Sequence, residues 1–77
     1  MTTSGTQMRR ISEARKAFAT GEALRLRMAA NVSQAEFARA VGSSAAAVSL
    51  WESGQRMPGS DFALKCWSAF ATLRRAA

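Results

Sequence analysis

Apolar residues recur along this chain at helical intervals, and no stretch alternates with the period of two that a strand requires. Met8, Ile11, Ala14 or Arg15, and Phe18 stand three or four apart, with Arg9, Arg10, Glu13 and Lys16 on the other faces. This predicts an amphipathic helix over residues 9–19. Thr20-Gly21 interrupts it, and Glu22 follows where an acid suits the start of a helix. Ala23, Leu26 and Ala30 share a face of a second helix, over 22–30, which Asn31 can end in the left-handed conformation. Val32 then precedes Ser33 and Glu36, the spacing of a capping box. Phe37, Ala38 and Val41 mark the inner face of the helix so started. Ser44 can cap a fourth helix, whose Val48 and Trp51 share a side. Ser60 is expected to cap the last helix, with Asp61 in its first turn. Its stripe is Phe62, Cys66, Ala69, Phe70 and Leu73, widened by Ala63 and Trp67, with Arg74 and Arg75 at the end where the dipole favours them.

The third and fourth helices are joined by a short segment containing Gly42, a residue that tolerates positive φ in a sharp turn. Helix, short Gly-containing turn, helix is the helix-turn-helix pattern, here over 33–53, and its second helix usually enters the DNA major groove. Ala38 is small where the two helices would cross. Ala45, Ala46, Ser49 and Leu50 lie off the Val48–Trp51 face and have no evident core to serve. Glu52, Ser53 and Gly54 end the helix, and residues 55–59 read as a loop.

The expected organisation is a disordered tail over 1–8 and a single domain over 9–77, since 77 residues leave no room for a second. Eleven Lys and Arg against five Asp and Glu give a net charge of +6, which favours a polyanionic partner. Cys66 is the single cysteine and there is no histidine, so no internal disulfide, zinc site or other cofactor is expected. No carboxylate pair, Ser/His/Asp set or phosphate-binding glycine loop is present, which argues against an enzyme. No apolar run approaches the roughly 20 residues that span a bilayer, so a cytoplasmic protein without membrane association is expected.

With these residues placed, the chain resembles the Xre/Cro/cI family of prokaryotic helix-turn-helix regulators. The matching features are Leu26-Arg27, Ser33-Gln34 with Phe37-Ala38, Gly42 with Ser44, Val48-Ser49 with Trp51-Glu52, Gly54 and Pro58. They cover residues 22–70. The resemblance implies an all-α, compact five-helix domain of the lambda-repressor-like type. It also implies a sequence-specific binder of double-stranded DNA that represses transcription by occupying an operator, in a bacterial cell or a phage-infected host. Size and charge look like those of a small phage Cro-type repressor. Antitoxins and restriction-modification controllers share the module, so a protein-interaction role is the alternative.

The family implies roles position by position. Gln34 would donate to a phosphate, and Ser43, Ser44, Ala45, Ala46, Ser49 and Leu50 would face or flank the bases. Gln55 and Arg56 would sit in the backbone-touching loop. Arg27 and Glu52 match a structural ion pair. The chain departs from the family on the reading face, where many members carry Gln, Arg or Asn: Ala45, Ala46 and Leu50 cannot make bidentate bonds to guanine or adenine. Hydrogen-bonded readout should therefore be sparse, leaving methyl contacts, serines, Arg56 and DNA shape. The N-terminal helix is expected to pack on the C-terminal one. The protein alone would then be a monomer or weak dimer, with two copies joining on a palindromic operator.

Overall fold

The computed structural model describes residues 4–76 and contains α1 (Gly5–Ala19), α2 (Glu22–Ala29), α3 (Gln34–Val41), α4 (Ala45–Ser53) and α5 (Ser60–Ala76). The fold is all-α, with five helices and, among the described residues, no strand.

α1 starts earlier than the apolar pattern indicates, and the expected tail over 1–8 is corrected accordingly. Ser4 and Gln7 form a capping box: the Ser4 hydroxyl accepts from the Gln7 amide at 3.1 Å, and Gln7 Oε1 accepts from the Ser4 amide at 2.9 Å. Two helix-start donors are thereby satisfied by polar residues that carry no apolar signal. Residues 1–3 of that expected tail lie outside the described residues. Met8 belongs to the helix but is well exposed, and the buried stripe is Ile11, Ala14, Ala17 and Phe18. Arg15 leaves the stripe to donate from Nε to the Pro58 carbonyl at 3.0 Å. Gly21, at φ 84°, separates α1 from α2, and Asn31 takes the left-handed conformation at φ 57° after α2. At the other end, Ser60 is the first helical residue of α5 rather than its cap. The first turn closes on the Gly59 carbonyl, which accepts from the Ala63 amide at 2.8 Å.

The core is a run of aromatic rings contributed by four helices. Phe18 of α1 meets Trp51 of α4 edge-on at 5.6 Å and Phe70 of α5 at 5.4 Å. Phe37 of α3 stacks on Phe70 at 5.6 Å, and Phe62 lies 5.8 Å from Trp51. Such ring pairs contribute about 0.5–1.5 kcal/mol each beyond their buried area. Ala14, Ala38 and Ala63 are buried beside them.

α1 packs along α5, as expected. The Arg10 guanidinium lies 4.3 Å over the Trp67 ring, and Trp67 Nε1 donates to Glu13 Oε1 at 2.9 Å. Trp67 is thus a half-buried clasp between the first and last helices. Its chain neighbour Cys66 is fully buried, and burial pushes its thiol up to about 12, so it stays protonated and unreactive.

Candidate nucleic-acid interface

The turn between α3 and α4 is set by Gly42, whose φ of 75° is a conformation that a Cβ disfavours. The next residue, Ser43, donates its amide to the Ala38 carbonyl at 2.8 Å, which closes the end of α3. Ser44 is extended and its hydroxyl accepts from the Ala47 amide at 3.1 Å, starting α4. Val48 and Trp51 then turn inward and are buried. Ala45, Ala46 and Ser49 are exposed, Leu50 and Ser43 are half-buried, and Ser44 is exposed at the helix start.

α4 ends at Gly54, with φ 79°. The chain then wraps back over the last turn. The amides of Gln55 and Arg56 both donate to the Leu50 carbonyl, at 3.1 and 3.3 Å, and the Ser53 hydroxyl donates to it at 3.1 Å. The loop is therefore fastened to the residue that closes the outer face of α4. Both Gln55 and Arg56 are exposed, and the Arg56 side chain makes no hydrogen bond or ion pair with the described residues. Buried Pro58 anchors the other end of the loop to Arg15.

Behind this surface lies a polar cluster. Arg27 Nε donates to Glu52 Oε2 at 2.7 Å and Arg27 Nη2 to Glu52 Oε1 at 3.0 Å, a bidentate pair joining α2 to α4. Arg27 Nη1 donates to the Val32 carbonyl at 2.9 Å. The side chains of Arg27 and Glu52 are only 11% and 6% exposed, so water replaces little of this network. Burial by itself would raise the Glu52 carboxyl. The hydrogen bonds from Arg27 and Gln34, together with the Arg27 charge, outweigh it and hold the group below the ordinary carboxylate range. Glu36 is also lowered, first by the Ser33 amide and then by the Ser33 hydroxyl.

Gln34 occupies the first position of α3, but its side chain is engaged within the protein. Its Nε2 donates to Glu52 Oε1 at 2.9 Å. An ionised carboxylate only accepts, so the amide nitrogen must face Glu52, and its second hydrogen remains for another acceptor. The sequence held no local signal of this contact, because 18 residues separate the partners. The same holds for Arg15 on Pro58 and Arg10 on Trp67, whose partners lie in distant segments.

The structure thus gathers Ser43, Ser44, Ala45, Ala46, Ser49 and Leu50 on or beside one helix face. Gln55 and Arg56 sit at its C-terminal end, and Gln34 stands at the start of the preceding helix, tied to Glu52. Among the described residues no group of His, Cys, Asp and Glu could hold a metal ion, and no helix is long and apolar enough to cross a membrane. A capped helix whose outer face meets no partner among the described residues, supported from behind and followed by a basic loop, defines a helix-turn-helix DNA-binding domain.

The chain belongs to the helix-turn-helix family HTH_3, the Xre/cI-like DNA-binding transcription regulators, whose family model matches residues 24–72. The match spans most of α2 and all of α3 and α4, runs into α5, and leaves α1 outside. No curated protein and no solved structure matches the chain.

Proposed function

We propose that this protein is a sequence-specific repressor of the Cro type, which blocks transcription by occupying an operator. The observation that carries this reading is the outer face of α4: Ala45, Ala46 and Ser49 are exposed, and nothing among the described residues covers them. Exposed Arg56, set beside that face by the Leu50 carbonyl, supplies a phosphate contact. The second Nε2 hydrogen of Gln34 supplies another at the start of α3. The surface that a protein-interaction module would offer is less available, since α1 and Trp67 are turned on each other. That packing also supports a monomer or weak dimer in the absence of DNA, with two copies meeting on a palindromic site.

Duplex binding titrated against salt tests the reading. Four to six phosphate contacts per domain give a slope of log K against log salt of about −4 to −5 per domain. Arg56→Ala should weaken binding to all sequences alike and make the slope shallower by about one. Light scattering in the same titration should register two copies joining on the duplex. A slope near zero would overturn the mechanism.

Ala46→Arg and Leu50→Gln are expected to change which bases are preferred while leaving the thermal transition nearly in place, because both positions face away from Val48 and Trp51. Selection of binding sites from random duplexes by each variant, paired with a melting curve, checks this. A variant that melts the domain would show that the outward face carries packing after all.

A further inference from the structure

The outer face of α4 is chemically one-sided. Ala45 and Ala46 present methyl groups, Leu50 presents an isobutyl group, and the hydrogen-bonding groups there are the hydroxyls of Ser44, Ser49 and, at the helix end, Ser53. The Ser44 hydroxyl already accepts the Ala47 amide. None of these side chains can make the two parallel hydrogen bonds by which Arg or Lys reads guanine and Asn or Gln reads adenine. What alanine and leucine can contact is the C5 methyl of thymine, the apolar group on the major-groove edge. Cytosine methylated at C5 carries the same group at the same ring position. The two bases differ at C4, where thymine offers an acceptor and cytosine a donor. A serine hydroxyl rotates to serve either one, since it both donates and accepts.

We propose that α4 reads pyrimidine C5 methyl groups through Ala45, Ala46 and Leu50, so that thymine and 5-methylcytosine are interchangeable at the contacted positions. Cytosine methylation of the target DNA is then an input to binding. This rests on the DNA-binding reading above and adds the chemical class of base edge that the domain selects.

The test uses the full chain and unmodified protein. Duplexes of about 30 bp, long enough for two half-sites one turn apart, are enriched from a random pool. Each thymine of the enriched half-site is then replaced in turn by uracil, by cytosine and by 5-methylcytosine, with the matching partner base. Thymine against uracil and 5-methylcytosine against cytosine are two matched pairs, each differing by one methyl. At contacted positions each methyl should raise affinity about fourfold, the equivalent of one buried methylene, and two should raise it about 15-fold. Equal binding of thymine and uracil duplexes at every position would overturn the inference while leaving DNA binding intact. A thymine–uracil difference without a 5-methylcytosine–cytosine difference would overturn it too, by assigning selectivity to groups other than the methyl. If the pool yields no enriched duplex and binding is insensitive to salt, the DNA-binding reading fails and this inference fails with it.

Discussion

Trp51→Ala should cost about 3–5 kcal/mol, as truncation of a buried aromatic does. Trp51 is 3% exposed and lies between Phe18 of α1 and Phe62 of α5. Its removal opens a cavity under α4 and strips ring contacts from two other helices. Small domains of this kind have total stabilities of about 5–15 kcal/mol, so the loss takes a large share. At about 4–8 °C per kcal/mol for a domain of this size, the melting temperature should fall by more than about 12 °C, or the helical signal should be absent at 25 °C. Circular dichroism melting reads this directly. Trp67→Ala is the comparison: it removes a half-buried clasp and should cost about 1–2 kcal/mol, the sum of a cation–π contact and a hydrogen bond. If the two variants melt alike, the division between core ring and surface ring is wrong.

Coupling between Arg27 and Glu52 is the second large effect. Removing one partner leaves a nearly buried charge without its counter-ion, which costs about 3–5 kcal/mol. Removing both with apolar replacements, as in Arg27→Met with Glu52→Leu, should cost less than either single change. A double-mutant cycle in denaturant would return a coupling well above 1 kcal/mol; additive effects would sink the idea. The pair also gives stability a pH dependence. Glu52 is depressed in the folded state, so its contribution is fully present above the ordinary carboxylate pKa. It is lost as pH falls through the lower folded value. Wild type should lose stability over that acid window, and the double variant should lose less.

Local chemistry made much of this fold legible. Gly42, Asn31 and Gly54 sit where positive φ is needed, and the reciprocal bonds of Ser33 and Glu36 are written in their spacing. Phe37, Val41, Val48 and Trp51 announced their inward faces by period alone. The start of α1 is invisible to an apolar periodicity, because Ser4 and Gln7 hold its signal in polar residues. The cap of α5 falls one residue before Ser60 for the converse reason: Ser60 is a good capping residue, but the Gly59 carbonyl closes the first turn instead. At the candidate site, residue types at fixed offsets gave the outward face of α4. The tether of Gln34 to Glu52 was illegible, because it depends on how α3 and α4 cross, and no spacing within one helix encodes that.

The Leu50 carbonyl, which takes the amides of Gln55 and Arg56 and the hydroxyl of Ser53, has a kinetic consequence. Loops that become ordered only on contact make association slow and lower affinity by the freedom they lose. Here the backbone beside Arg56 is ordered by bonds already formed in the unbound protein. In the proposed complex a duplex would meet α4 and the Arg56 loop as one ordered surface, so productive encounters would need orientation but no folding step. Association should then be governed by electrostatic steering, and discrimination between sites should reside in how long each complex lasts.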